Sequence, residues 1–207
     1  MEKLFIITPV PHAWTAKMNF HPNEFFWDDV SIPKEINAEY TLSIKYLRMK
    51  KMPVDYFYST PIISEKFKSL CDEFNVNCQF VPIKIWVNAW LSEKKFYFLL
   101  LRDFISVVDA DKSIFEFVRD RNTGNELYWP NFQNMPMFEK ITNFVLKSEP
   151  TPHFFMAPEI GSRVCTAQFK EGVEKLALQG INFKEITPDF IYDPFSFISR
   201  PTKRIQV

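Results

Sequence analysis

Ser64-Glu65-Lys66-Phe67-Lys68-Ser69-Leu70-Cys71-Asp72-Glu73-Phe74 is the stretch that decides how this chain is read. Phe67, Leu70, Cys71 and Phe74 stand at i, i+3, i+4 and i+7, so they share one face of an α-helix. Ser64 suits the N-cap, where a hydroxyl accepts a backbone N–H of the first turn. Asn75 tolerates the left-handed conformation that closes a helix. Residues 79–87 then carry Phe80, Val81, Ile83, Ile85 and Val87 and read as a strand. The same order returns a hundred residues on. Thr166 opens a helix with Phe169, Val173, Leu176 and Ala177 at i, i+4, i+7 and i+8, Gly180 sits where a glycine cap belongs, and residues 181–186 follow as a strand. Phe67 pairs with Phe169, Leu70 with Val173 and Phe80 with Phe183, at a spacing that moves from 102 to 103. Two readings stay open: an internal duplication lying against a shared sheet system, or the generic likeness of any two helix–turn–strand units.

Outward from these units the chain reads mainly as strands. Residues 4–8 form a short buried strand. Tyr40, Leu42, Ile44 and Tyr46 alternate with polar neighbours, the period of a half-buried strand. Residues 96–101 are six apolar side chains in a row, a strand covered on both faces, which 105–108 continue. Residues 113–119 and 153–156 are further strands, 122–125 a turn, and 138–146 a strand or a short helix. The expected fold is α+β: mixed or antiparallel sheets with a few packed helices and two similar helix–strand units at 63–85 and 166–188. Residues 1–207 are expected to form one domain.

Composition narrows the function classes. Lys plus Arg and Asp plus Glu both number 25, so no long-range field draws nucleic acid or an anionic membrane. No apolar run is long enough to cross a bilayer. The start of the chain lacks the pattern of a signal peptide. Cys71, Cys78 and Cys165 are too few for a disulfide framework, and a reducing cytoplasm is the expected compartment. His12, His21 and His153 have no partner at zinc-like spacing, so no metal site is expected. Asp109-x-Asp111 fits a divalent cation or a turn equally well. Four glycines leave little room for a phosphate loop, and no nucleophile elbow is present. No catalytic residue and no cofactor follow. What remains is Trp86-Val87-Asn88-Ala89-Trp90: two indoles at the end of a strand, the residue type that anchors protein interfaces.

One resemblance gathers these pieces. Ile63-Ser64-Glu65-Lys66-Phe67-Lys68-Ser69-Leu70, followed by Phe80-Val81-Pro82-Ile83, resembles the I-S-x-x-F-K-x-L helix and F-I-P-V strand of a family of immunity proteins from bacterial polymorphic-toxin systems. Phe96-Tyr97-Phe98-Leu99-Leu100, Val107-Val108-Asp109 and Ser113 are similar to its next element. Phe138-Glu139-Lys140-Ile141, Leu146-Lys147 and His153-Phe154-Phe155 are similar to the one after that, and 166–186 to its closing helix and strand. The resemblance spans residues 55–190; residues 1–50 diverge from it. Cys165-Thr166-Ala167-Gln168-Phe169 departs from the Ile/Val-Ser opening of the closing helix. The resemblance implies a non-catalytic cytoplasmic inhibitor. Its partner is a cognate toxin protein encoded by a neighbouring gene, whose active site it blocks, and no nucleic acid or membrane is involved. Trp86 and Trp90 are the leading partner-binding candidates. Trp27 is next, beside Asp28 and Asp29, which suit a basic toxin cleft. The alternatives are a small enzyme using Asp109, Asp111 or His153, and a structural adaptor.

Overall fold

Two nine-residue helices, α1 (Glu65–Glu73) and α2 (Ala167–Lys175), organise the computed structural model, which describes residues 3–10, 15–18, 40–45, 54–57, 61–128, 135–148 and 152–194. Their ends match atom for atom. The Ser64 and Thr166 hydroxyls accept the N–H groups of Phe67 and Phe169 at 3.3 and 3.4 Å. At the other end Val76 N–H bonds Cys71 O and Leu178 N–H bonds Val173 O, each around a residue at φ 50°, Asn75 or Ala177. The second helix is therefore capped by Ala177 and not by Gly180. Gly180, at φ 91°, answers a different need: a Cβ there would stand 2.8 Å from the carbonyl oxygen of Tyr56.

The strands form three sheets among the described residues. The first runs β2 (Thr15–Met18), β3 (Tyr40–Lys45), β6 (Cys78–Val87), β8 (Phe96–Leu101), β5 (Ile62–Ser64), β4 (Tyr56–Phe57), with β7 (Trp90–Leu91) also paired to β6. Only β3 and β6 are parallel in it. The second runs β11 (Phe154–Ala157), β12 (Ser162–Thr166), β1 (Leu4–Pro9), β13 (Ile181–Glu185), all antiparallel. The third pairs β9 (Ile114–Phe117) with β10 (Phe138–Asn143). The chain is thus α+β but dominated by sheet. Residues 105–108 do not extend β8. Isolated bridges hold that segment instead, Phe104 to Met156 and Val108 to Leu146.

The two helix–strand units lie in different sheets, not against a shared one, and each follows one plan. A hairpin leads into the helix, and the strand after the helix returns parallel to the strand before it. An antiparallel strand separates the two: β8 in the first unit, β1 from the N-terminus in the second. Register makes the correspondence residue-specific. Ser64 pairs with Phe96 as Thr166 pairs with Leu4, and Leu99 pairs with Phe80 as Ile7 pairs with Phe183. Helix positions therefore correspond at an offset of 102 and the following strands at 103, with one extra residue between α2 and β13. This corrects one expected pair: Leu70 corresponds to Gly172, and Val173 to Cys71.

Between the sheets the two helices and their supporting strands share one core of Phe5, Ile7, Tyr56, Ile63, Phe67, Leu70, Cys71, Leu99, Phe154, Cys165, Phe169 and Val173. Tyr56 stacks on Phe67 at 5.5 Å and 19°, and the corresponding Phe154 stacks on Phe169 at 4.9 Å and 20°. Phe67 and Phe169 meet at 6.0 Å where the halves join. Such ring pairs add to area burial through their quadrupoles. The likeness extends to the surface. Lys68 bonds Asp72 and lies over Phe80 and Tyr97; Lys170 bonds Glu174 and lies over Phe183 and Phe5.

Candidate functional site

β6 is ten residues long where its counterpart β13 is five. The surplus half, Ile83 to Val87, pairs with β3 on one side and turns back as β7 on the other. Asn88 (φ 49°) and Ala89 (φ 69°) make the two-residue turn, and positive φ at both centres matches the right-handed twist of the strands. Asn adopts this conformation readily, whereas Ala is strained in it. Asn88 N–H also bonds Ile44 O at 2.9 Å, tying the turn to β3.

Register separates the two indoles. Trp86 pairs with Leu91 and Val87 with Trp90, and directly paired residues share a face. Trp86 and Leu91, 37% and 49% exposed, form one apolar pair on the open face. Along that face run exposed Pro82 and Lys84 of β6, with Ser43 of β3 beside Trp86. A shallow groove lined by Pro82, Lys84, Leu91, Glu93, Lys94 and Tyr97 continues it. Trp90, 63% exposed, stands on the opposite face with Val87, at the margin of the core of Ile44, Ile85 and Val87. The expected pair of anchors is therefore not one patch. Leu91 was not singled out from sequence. Its signal was the two-residue turn, since placing Asn88-Ala89 there makes Leu91 the cross-strand partner of Trp86. Trp27, Asp28 and Asp29 lie outside the described residues.

The foot of the hairpin is irregular. Ile83 pairs with Phe96 and Trp86 with Leu91, so two residues of β6 face four, Ser92 to Lys95. This bulge is held by Ser92 N–H on Ile85 O, Lys94 N–H on Ser92 Oγ and Glu65 N–H on Lys95 O. Lys94 Nζ also reaches Asp55 Oδ1 at 3.3 Å.

The side chains of Asp109 and His153 have local partners. Asp109 is ion-paired with Lys112 at 2.7 Å and accepts the N–H of Asp111. Lys112 holds its carboxyl below the usual range. This is the turn reading of Asp109-x-Asp111. His153 Nδ1 lies 3.0 Å from the Thr166 hydroxyl and its ring meets Phe74 edge-on, which places it in the packing around the α2 cap. Cys71 is buried, and burial pushes its thiol well up. Half-buried Cys78 is lowered by the hydrogen bond from Cys71. Among the described residues no group of three or more His, Cys, Asp or Glu converges, and no helix is long and apolar enough to cross a membrane.

Residues 20–188 match the model of the immunity protein family Imm11. The comparison with curated proteins finds no match.

Proposed function

That the chain belongs to the immunity protein family Imm11 is the premise from which we propose its role: a stoichiometric, non-catalytic inhibitor that binds a cognate toxin in the cytoplasm and blocks its active site. The toxin is the product of a neighbouring gene. The docking surface is the hairpin β6–β7, and the observation that carries this is the exposed Trp86–Leu91 pair on a strand extension that the repeated unit does not use. A strand-borne hairpin keeps its side chains ordered before binding, which lowers the entropy lost on association. A Trp of about 250 Å² that is 37% exposed has about 90 Å² left to cover, about 2 kcal/mol of gross burial. Trp90 takes part from the other face, and the carboxylates of Asp28 and Asp29, next to Trp27 in sequence, suit a basic cleft of the toxin.

The test is co-purification with the neighbouring-gene toxin and an assay of toxin activity with and without this chain. Trp86→Ala is expected to raise Kd by roughly thirtyfold, the equivalent of about 2 kcal/mol, with little change in Tm. Trp90→Ala separates the two faces. If Trp86→Ala, Leu91→Ala and Trp90→Ala all bind normally, the hairpin is not the docking surface. If the toxin stays active in the presence of excess chain, the inhibitory role fails.

A further inference from the structure

We propose that Asp55 is the positioning residue of the docking hairpin, acting through Lys94; the proposal rests on the hairpin being the docking surface. Asp55 is buried, its side chain only 6% exposed, and its interactions reach three separate elements. Its backbone N–H donates to Gln179 O at 2.8 Å, and its Oδ2 accepts Gln179 N–H at 2.9 Å, fixing it to the junction between α2 and β13. Its carbonyl accepts Ser64 N–H at 2.9 Å, at the cap of α1. The remaining carboxylate oxygen, Oδ1, accepts Lys94 Nζ at 3.3 Å. A carboxylate this far from water needs a compensating charge and hydrogen bonds, and among the described residues Lys94 is the cation that reaches it.

Lys94 sits in the bulge at the foot of the hairpin. A bulge sets the direction of the strand beyond it, and this one carries two more residues than the opposing segment of β6. Where the ladder is interrupted, the path of the chain is set by the contacts that hold the extra residues. Among the described residues, the Asp55–Lys94 bridge joins them to the junction between α2 and β13 in the other unit. Its geometry thus hands the rigidity of the helix-pair core to the Trp86–Leu91 face.

Asp55→Asn keeps an oxygen for Gln179 N–H and removes the charge that holds Lys94. Lys94→Met keeps the stem and removes the donor. Hydrogen exchange of the free protein reads the tether without any partner. Both variants are expected to speed exchange at Asn88 and Ser92 by about fivefold, since an ionic hydrogen bond is weakened where the lysine is half exposed, while the amides closing α1 and α2 keep their protection. The double variant is expected to be no faster than either single one. Dissociation of the neighbouring-gene toxin should rise by a similar factor. Unchanged exchange at Asn88 and Ser92, or faster exchange spread over the whole chain, overturns the proposal. Faster local exchange with unchanged toxin dissociation supports the tether and overturns the hairpin as docking surface, so the two failures are distinguishable.

Discussion

Gly172→Ala is expected to destabilise the protein as it stands and to stabilise it once Leu70 has been changed to Ala. Gly172 lies inside α2, where Gly is worse than Ala by about 1 kcal/mol, so in an isolated helix the substitution would help. In the fold a Cβ at 172 would stand 2.7 Å from Leu70 Cδ1 and 3.1 Å from Phe74 Cε2. Leu70 is 1% exposed and packed in the core between the sheets, so its methyl has no free space to retreat into. Overpacking of this kind costs about 1–3 kcal/mol and outweighs the helix gain, leaving a net loss of up to about 2 kcal/mol. Leu70→Ala alone should lose about 2–5 kcal/mol through lost burial and a cavity. It also removes the colliding methyl. In that background Gly172→Ala recovers the helix term and fills part of the cavity, so it should gain about 1 kcal/mol. The four proteins of this cycle are compared by urea titration with a common m-value. A coupling of about 1–3 kcal/mol and a reversal of sign are the expected result. Additive effects, or stabilisation by Gly172→Ala in the unchanged protein, would refute the close helix crossing at these corresponding positions.

Phe67→Ala should lose about 3–5 kcal/mol in a denaturant titration, because Phe67 is fully buried between Tyr56, Phe154 and Phe169; a loss below about 1 kcal/mol would remove it from the core. Gly180→Ala should lower Tm, since it combines a positive φ with a Cβ 2.8 Å from the Tyr56 carbonyl oxygen and such strain alone costs about 1–3 kcal/mol; an unchanged Tm would contradict that close approach. Alkylation of the native protein followed by mass spectrometry should label Cys78 first and faster as pH rises, because its thiol is lowered and half-buried. Burial raises Cys71 and Cys165, which should label only on unfolding. Early labelling of Cys165 would count against the burial of β12.

Periodicity was enough to locate both helices, because an amphipathic face and a hydroxyl cap are local properties: Ser64, Phe67 and Leu70 need only their neighbours to be read. Strands bounded by alternation or by an unbroken apolar run, such as β3 and β8, were legible for the same reason, as was the family likeness carried by the order of these pieces. β5 and β12 were not, because three to five residues leading straight into a helix are too short to show a period. The arrangement of the sheets was also hidden. β1 enters the second unit between β12 and β13, a pairing across the whole chain that no window of sequence contains. Register decided the rest. Strand side chains alternate faces with a period of two, so the two-residue turn after Val87 determined that Leu91, and not Trp90, stands beside Trp86. A pair of indoles four residues apart looks like one site in the sequence; hydrogen-bonded pairing across the turn places them on opposite faces of the sheet.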